Sequence, residues 1–256
     1  MRIVVTRPLA QAEALVSELR AAGADAVALP LIEIAAPADE QPLRDAWRTL
    51  DERALVMFVS ANAVQQFMRL RPPSAPWPAR PLAGSTGPGT SAALRAAGVP
   101  AHQLVEPRGE VFDSEALWQQ LRERDWHGQR VLVVRGEAGR DWLGEQLRER
   151  GAEIEFIAAY RREPPRLDAA ARAVLDAALA SPRRHLWALS SSEALRNLQR
   201  LAPRADWREA AAVAPHPRIV AQAQRMGFAS VRLAPAHCAS LAALAREERP
   251  IQSPAP

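Results

Sequence analysis

The sequence predicts an α/β protein of two doubly wound, parallel-sheet domains, and three observations lead to that class. Apolar strand patterns alternate with helical patterns along the 256 residues, which is typical of parallel sheets covered by helices. Residues 19–24 (LRAAGA) return 128 positions later as residues 147–152 (LRERGA), so one plan is present twice. Both copies are interrupted at matching prolines, Pro37 and Pro165.

The first copy opens as a strand, a helix and a strand. Residues 1–6 form a short apolar stretch, which predicts a strand. Residues 9–22 space their apolar side chains as a helix does, and Gly23 is placed to end that helix. Residues 26–35 are again β-rich and are expected to pair in parallel with the first strand. The second copy repeats this order at residues 130–134, 141–150 and 154–160.

Strands and helices continue to alternate after each of these units. In the first half, strands are predicted at residues 54–59, 81–84 and 101–105, and helices at residues 62–71 and 90–97. In the second half, strands are predicted at residues 186–189, 210–214 and 231–233, and helices at residues 193–201 and 217–226. This alternation favours doubly wound sheets over an all-helical or all-strand fold.

The two prolines mark the predicted domain boundaries, because proline-marked exits at equivalent points suggest that the chain changes domain there. The first domain would comprise residues 1–36 and 165–256, and the second residues 37–164. Two consecutive domains divided near residue 127 are the alternative, although no flexible linker occurs there. Residues 249–256 are predicted to form a disordered tail.

The composition favours a cytoplasmic globular protein. Hydrophobic residues make up 48% of the chain and charged residues 24%, and no run approaches the roughly 18 apolar residues of a membrane span. The N-terminus lacks the apolar core of a signal peptide. The single cysteine, Cys238, cannot form an internal disulfide, which agrees with a reducing compartment.

Several classes of chemistry are excluded by the residues that are missing. All 33 basic side chains are arginine, which excludes a phosphate-loop lysine, a pyridoxal Schiff base and any other lysine nucleophile. The five histidines lack metal-ligand spacing, so no metal is predicted. The sequence holds no G-x-S-x-G motif and no basic stripe with interleaved aromatic residues, which argues against a hydrolase and against nucleic-acid binding.

Hydroxyl side chains follow several predicted strands. Ser60 lies between a strand and a helix, and Ser191 and Ser192 occupy the corresponding place in the second half. Because ligands gather at the carboxyl ends of parallel strands, these hydroxyls and the helix N–H groups beside them are candidates for holding an anion. The alternative is that the serines only cap their helices. Thr90 closes a glycine-rich turn, residues 84–90, whose amides form a third candidate anion site.

Arginines occupy the same kind of position. Arg7 and Arg135 lie just after the first strand of each copy at matching positions, Arg140 follows closely, and Arg218 opens a helix where a cation is disfavoured. Four guanidiniums at strand ends would suit a ligand with several carboxylates. The alternative is that they are ordinary surface arginines.

Tyr160 is the only tyrosine in the chain. It lies at the end of a predicted strand, beside one of the predicted boundaries. A phenol is a hydrogen-bond donor or a weak general acid at neutral pH rather than a base. A buried phenol that is hydrogen-bonded to the backbone is the alternative.

Short strings in a fixed order complete the pattern, at residues 6–8 (TRP), 58–64 (FVSANAV), 134–140 (VRGEAGR), 151–162, 190–193 (SSSE) and 216–219 (HPRI). Together they resemble the uroporphyrinogen-III synthase family over nearly the whole chain. The resemblance implies two α/β domains joined by a two-stranded antiparallel linker, with an active-site cleft between them. It also implies an enzyme without a cofactor that acts on hydroxymethylbilane, a linear tetrapyrrole with acetate and propionate arms.

The resemblance further implies roles for the candidate residues. Ser60, Thr90 and Ser191 with its neighbour Ser192 would clamp carboxylates, while the arginines attract them from a longer range. Tyr160 would help the terminal hydroxyl of the substrate to leave as water. The family's glycine and threonine turn in the first domain is replaced here by residues 215–218 (PHPR), so Arg218 is expected to act in place of that threonine.

Partners follow from the same resemblance. The expected partner is the small polycarboxylate substrate, with a transient contact to hydroxymethylbilane synthase, no nucleic acid, no membrane and a monomeric state. A non-catalytic two-lobed protein that binds an anionic metabolite is the main alternative. A nucleotide-dependent enzyme is a third, although the glycine spacing in residues 84–90 matches neither the dinucleotide fingerprint nor a phosphate loop.

Overall fold

The computed structural model describes residues 1–109, 112–137 and 141–247. Its chain forms two compact units: the first combines residues 1–33 with the chain after residue 162, and the second comprises residues 34–162. The chain therefore leaves the first unit and returns to it, at points three and two residues before the predicted ones. The predicted tail, residues 249–256, lies outside the described residues.

Strands and helices alternate along the described chain. The strands are β1 Arg2–Val5, β2 Ala26–Ala28, β3 Glu33–Ala35, β4 Leu55–Phe58, β5 Leu82–Ser85, β6 Leu104–Val105, β7 Arg130–Gly136, β8 Glu153–Glu163, β9 His185–Ala188, β10 Ala211–Ala214 and β11 Ser230–Leu233. The helices are α1 Leu9–Ala21, α2 Gln41–Arg48, α3 Ala61–Arg69, α4 Pro88–Ala96, α5 Ser114–Leu121, α6 Trp142–Glu149, α7 Ala169–Ala180, α8 Ser192–Leu201, α9 Pro217–Arg225 and α10 Cys238–Glu247.

Each unit contains one sheet. The first unit has the order β11-β10-β9-β1-β2, and the second has the order β3-β8-β7-β4-β5-β6. The pairs that link β11, β10, β9, β1 and β2 in the first sheet are parallel. The pairs that link β8, β7, β4, β5 and β6 in the second sheet are parallel as well. The predicted α/β class with parallel sheets in two units is thereby confirmed.

The two sheets share one spatial order. Read from one edge, the strand order of the first unit is β2-β1-β9-β10-β11. The second unit has the matching order β8-β7-β4-β5-β6, with β3 as an additional strand beyond β8. Gly23 and Gly151, the matching glycines of the repeat, end α1 and α6 with φ of 77° and 85°, a conformation that glycine adopts without strain. The sequence repeat therefore corresponds to a repeat of structure.

Two predicted strands differ from the structure. Residues 26–35 form β2 and β3, which belong to different sheets, because Pro30 has no N–H to donate to a continuous ladder. Residues 101–103 form a 3₁₀ turn after Pro100, and Leu104–Val105 alone remains as β6. Helices α2, α7 and α10 were not predicted. Alanine dominates α7, so its sequence lacks a clear apolar period.

The second unit buries both faces of its sheet. In β4, Val56 and Phe58 pack with α2, α3 and α4 on one side, while Leu55 and Met57 pack with α5 and α6 on the other. Successive side chains of a strand point to opposite faces, so a continuous apolar run is what a sheet covered on both sides requires. This packing fixes the carboxyl end of β4, where Ser60 follows.

The first unit has the same two-sided arrangement. Leu15 and Leu19 of α1 and Leu241 of α10 cover one face of its sheet. On the other, Trp187 of β9 lies 5.6 Å from Trp207 and 6.5 Å from Phe228, measured between ring centroids. In the described part of the chain, no helix has the length and apolar character needed to cross a membrane.

Candidate functional site

The middle of each sheet is the place where the chain changes winding direction. In a doubly wound sheet, the loops after two neighbouring strands diverge at such a point and leave a crevice at their carboxyl ends. The strands concerned are β4 and β7 in the second unit, and β1 and β9 in the first. Ser60 and Ser191 follow β4 and β9, so the predicted hydroxyls lie at these two points.

Ser60 and Tyr160 form a hydroxyl pair in the second unit. Ser60 is the N-cap of α3, and its Oγ accepts a hydrogen bond from the backbone N–H of Ala63 at 3.2 Å. The hydroxyl of Tyr160 lies 3.1 Å from the same Oγ. The partner of the phenol is therefore a side chain, and not the backbone partner considered from the sequence. Tyr160 is 2% exposed, so its ring is held by the core.

Gly136 makes room for the Tyr160 ring. A Cβ atom at Gly136 would lie 3.1 Å from two ring carbons and 3.4 Å from the phenol oxygen, closer than ordinary van der Waals contact. The register of β7 and β8 shifts between Arg135 and Gly136, which pairs Gly136 with Tyr160, and Glu137 N–H donates to the Tyr160 carbonyl at 3.1 Å. A β-bulge of this kind redirects a side chain next to a site.

The glycine-rich turn after β5 lies beside Ser60. Thr86 Oγ1 donates to the carbonyl of Val59 at 3.3 Å, and the hydroxyls of Ser85 and Ser91 lie 2.6 Å apart. Thr90 is in the first turn of α4 and is 6% exposed. Thr86 thus ties the turn that carries Thr90 to the residue that precedes Ser60.

Arg135 and Arg140 were predicted to follow the first strand of the second copy, residues 130–134. The strand is longer than predicted, so Arg135 lies within β7. Arg135 forms an ion pair with Asp141, and its guanidinium carbon lies 4.5 Å from the centre of the Phe156 ring. Its positive charge is therefore already shared with a carboxylate of its own chain. Arg140 lies outside the described residues.

In the first unit, hydroxyls join β1 to the loop after β9. Thr6 is fully buried, and its Oγ1 donates to the Ala188 carbonyl at 2.8 Å. Ser190 Oγ donates to the Thr6 carbonyl at 3.2 Å. Ser191 caps α8 by accepting from Ala194 N–H at 3.1 Å. Ser192 Oγ is buried and has no hydrogen-bond partner within the described residues, so a ligand that supplied one would remove an unsatisfied polar group.

Arg7 is partly buried at the end of β1. Its guanidinium donates to the carbonyl of Ala236 at 2.5 Å. Burial lowers the pKa of Arg7 from its ordinary value, and the Glu18 carboxylate opposes that shift. A cation that is partly desolvated in this way would gain from an anionic ligand at the same edge.

His216 and Arg218 open α9 in different ways. The Nδ1 atom of His216 accepts a hydrogen bond from the Arg218 N–H at 3.1 Å, so His216 is the helix cap. The Arg218 side chain is exposed. Proline at 217 occupies the first helical position, where its missing N–H costs nothing.

Four further residues of the site were not singled out from the sequence. Thr6 and Ser190 join β1 to β9, Thr86 anchors the glycine-rich turn, and Gly136 seats Tyr160. A glycine at the end of a buried strand was the available signal for Gly136. Nothing local distinguishes Thr6, because its partners are 182 and 184 positions away.

The described part of the chain contains no cluster of metal-ligating side chains. Among the described residues, no group of three or more His, Cys, Asp and Glu side chains could hold a metal ion. The chemistry available at the two strand-end sites is therefore that of hydroxyls, backbone amides and guanidiniums, which bind and orient anions.

A family model extends this description to the whole chain. The model described as uroporphyrinogen-III synthase HemD matches residues 13–240. The chain belongs to the uroporphyrinogen-III synthase family. The resemblance inferred from the short strings is thereby confirmed.

Individual relatives agree with the family model. The uroporphyrinogen-III synthase of Salmonella typhimurium is 38% identical over 175 residues, which cover 68% of this chain and 70% of that protein. The uroporphyrinogen-III synthase of Escherichia coli is 35% identical over 164 residues, 63% of this chain and 65% of that one. The uroporphyrinogen-III synthase of Synechococcus elongatus is 30% identical over 204 residues, 78% and 74% of the two chains.

Solved structures of the family share the fold. A triple-mutant uroporphyrinogen III synthase from the extremely thermophilic bacterium Thermus thermophilus aligns with a TM-score of 0.53 and 18% identity, over 97% of this chain and 100% of that one. The uroporphyrinogen-III synthetase of Helicobacter pylori gives a TM-score of 0.53 at 14% identity, over 95% and 99%.

Proposed function

We propose that this uroporphyrinogen-III synthase family member cyclises hydroxymethylbilane to uroporphyrinogen III, with inversion of the terminal pyrrole ring and loss of water. Family membership favours this reaction over the non-catalytic binding protein considered from the sequence. The reaction is that of a cyclising lyase. Departure of the terminal hydroxyl gives an electrophilic azafulvene. For inversion, the pyrrole carbon that already carries a methylene bridge attacks it, the older bridge bond then breaks, and that bridge re-forms at the free carbon of the same pyrrole, which loses its proton.

The main task of such an enzyme is to choose the attacking carbon. The electrophile forms readily, and without the enzyme the ring closes without inversion. Holding the reacting carbons in one geometry is therefore the largest available contribution. Rigid anchors for the carboxylate arms would supply it, and both strand-end sites offer hydroxyls fixed by helix caps.

We propose that Tyr160 donates a hydrogen bond to the departing hydroxyl. Ser60 Oγ already accepts from Ala63 N–H, so its own proton is available for the Tyr160 oxygen 3.1 Å away. That arrangement leaves the phenol O–H to point at the substrate. The carbon–oxygen bond breaks, the oxygen leaves as water with the donated proton, and the phenol oxygen recovers a proton from Ser60 or solvent.

Carboxylate binding is assigned to the remaining site residues. At the second unit, the N–H groups of the helix that Ser60 caps would hold one arm, since the Ser60 proton is directed at Tyr160. Thr90 would hold another arm, with Arg135 and Arg140 adding positive charge. In the first unit, the unsatisfied hydroxyl of Ser192 and the capping Ser191 would hold others, next to Arg7 and Arg218. The buried, unpartnered Ser192 Oγ is the strongest support for a ligand at the first unit.

The observation that carries the catalytic assignment is the Tyr160–Ser60 hydroxyl pair at the carboxyl end of β4. The test of the reaction is to add freshly prepared hydroxymethylbilane, oxidise the products and separate the two uroporphyrin isomers. We expect the inverted isomer in excess. An isomer ratio equal to that of buffer alone would contradict the proposed function.

We propose the cellular compartment and the oligomeric state of the enzyme from its composition and its surface. A single cysteine, Cys238, fits the reducing cytoplasm. We propose a monomeric state, because three large hydrophobic side chains alone, Leu9, Phe112 and Leu233, are exposed among the described residues. We also propose a transient contact with hydroxymethylbilane synthase, because rapid transfer would limit the time in which its reactive product can cyclise in solution.

The two units are proposed to act as the two substrate-binding domains.

A further inference from the structure

The first unit contains a cavity at the opposite end of its sheet from the candidate site. It has a volume of about 720 Å³ and is lined by Arg2 and His185, the first residues of β1 and β9. Thr6 and Ser190 follow the other ends of these strands. Four residues of strand at about 3.3 Å each separate the two places by more than about 10 Å. The name basal cavity is used for it below.

The wall of the basal cavity combines small apolar side chains with positive charge. Alanines from the ends of three helices form its apolar part: Ala22, Ala24, Ala177, Ala180, Ala242 and Ala245. Its charged part is Arg2, Arg183, Arg184 and Arg246, against one carboxylate, Asp25. The lining therefore carries a net positive charge over a smooth apolar surface.

Two of these arginines have no carboxylate partner among the residues that the structure describes. Asp25 pairs with Arg2 at 3.0 Å, and Arg183 pairs with Glu209 at 2.7 Å. Within the described residues, no ion-pair partner is found for Arg184 or Arg246. Guanidiniums near an apolar surface bind carboxylate, sulfonate or phosphate groups in bidentate geometry.

Two helices, α1 and α7, end at the cavity, where the partial negative charge of their last carbonyls offsets part of this positive charge. The offset is smaller at two of those carbonyls, because Gly23 N–H donates to the Arg20 carbonyl and Ser181 N–H donates to the Ala177 carbonyl. The ring of His185 is 8% exposed, and its Nδ1 donates to the Ser181 carbonyl at 2.9 Å, because a carbonyl can only accept.

We propose that the basal cavity binds a small amphipathic organic anion, with its apolar body against the alanines and its acidic group on Arg184 and Arg246. The volume lies within the roughly 300–1,000 Å³ of small-molecule sites. The proposal is independent of the proposed reaction, because no residue of the cavity belongs to the candidate site. It gives the first unit a second ligand site at the far end of the same strands.

Titration with 8-anilinonaphthalene-1-sulfonate, an apolar anion whose fluorescence rises on burial, tests the charge requirement. The full chain is compared with the double variant Arg184→Ser and Arg246→Ser. We expect the double variant to bind at least about 10-fold more weakly, since two charge-assisted contacts are lost. The matched control is Arg208→Ser, an exposed arginine outside the cavity, for which less than about 2-fold change is expected. Equal affinity of the double variant and the unaltered chain would overturn the proposal.

Two further arms test the apolar wall and the occupant. Ala180→Phe, at an exposed position at the end of α7, is expected to abolish probe binding by filling the cavity. The arginine double variant keeps the test valid if the added ring disturbs the fold. N-phenyl-1-naphthylamine, a neutral relative of the probe, should bind about 10-fold more weakly than the anion; equal binding would mean a purely apolar site. Tighter probe binding after removal of residues 249–256 would make the tail the occupant and overturn the assignment to a small ligand.

Discussion

The two units have the same sheet but different chemistry at its centre. Ser60 and Ser191 both precede helices in extended backbone, with φ of −166° and −162°, and both cap them through an N–H three residues on. Tyr160 bonds to Ser60, whereas the residue 128 positions before Tyr160 is Ile32, a buried aliphatic side chain. The position that corresponds to Gly136 is Pro8.

This comparison separates the features that both units need in order to fold from the features that the proposed reaction needs. Helix caps and strand order are common to both units, so they answer a need of the fold. The phenol and the glycine that seats it have no counterpart at the matching sequence positions of the first unit, which are Ile32 and Pro8. In the proposed mechanism, catalysis therefore belongs to the second unit and substrate binding to both.

Tyr160→Phe gives the largest expected effect. Removal of the phenol oxygen should lower kcat by about 10- to 100-fold, because general-acid assistance is lost while the ring still fills its place. Steady-state kinetics with fresh hydroxymethylbilane measure this, and thermal unfolding should change little. Ile32→Val in the first unit is the control and should leave kcat unchanged. Unaltered kinetics of Tyr160→Phe would remove Tyr160 from the mechanism.

Gly136→Ala should have the next largest effect. The added Cβ forces the Tyr160 ring to move by a few tenths of an ångström from the position 3.1 Å away, so kcat should fall about 3- to 10-fold with KM nearly constant. The double variant with Tyr160→Phe separates positioning from general damage. We expect it to be no slower than Tyr160→Phe alone; additive losses would mean that Gly136 acts elsewhere.

Ser60→Ala and Ser191→Ala form a matched pair. Each removes one helix cap, so each should lower the free energy of unfolding by about 1 kcal/mol. Ser60→Ala should also lower kcat several-fold, because Tyr160 loses its partner, while Ser191→Ala should act on KM alone. Denaturant unfolding and steady-state kinetics measure the two effects. Equal effects on kcat would contradict the division of roles between the units.

Thr90→Val should have a smaller effect, confined to binding. The change keeps the volume of a side chain that is 6% exposed and removes its hydroxyl. KM should rise about 3-fold with kcat unchanged, because one hydrogen bond to a carboxylate arm is lost and water takes its place. If affinity stays the same, Thr90 serves only the first turn of α4.

The smallest predicted effect concerns pH and the loop before β10. Hydrogen bonds from the Arg208 side chain and backbone lower the pKa of Asp206 from 3.8 to about 2. Because the pKa is lower in the folded state, the stabilisation is present above about pH 4 and is lost as the pH falls towards 2. Tm measured against pH should show Asp206→Asn slightly less stable at pH 7, with the gap closing below pH 3.

The corresponding loop of the second unit is held without titratable groups. Trp77 Nε1 donates to the Pro81 carbonyl at 3.1 Å, and Gln103 Nε2 donates to the same carbonyl at 3.0 Å. Gln103→Leu should therefore lower Tm equally at pH 7 and pH 3. A difference between the two pH values would show that this loop also depends on a titrating group.

The sequence alone determined the fold class, the repeat and the family. Strand periodicity, the glycines after α1 and α6 and the serines before α3 and α8 are local signals, because each reports on backbone conformation within a few residues. The chain's return to its first unit could also be inferred, since Pro37 and Pro165 mark matching exits. Helix α7 was missed because an alanine-rich segment carries no apolar period.

Tertiary structure alone decided which of these residues meet. Ser60 and Tyr160 are 100 positions apart and Thr6 and Ser190 are 184 apart, and such pairs depend on strand order and register. The bulge that brings Gly136 under the Tyr160 ring, and the partners that hold Arg7 and Arg135, belong to that same level. Local sequence fixes the conformation of a strand end, whereas the neighbour across the sheet is chosen by the packing of the whole unit.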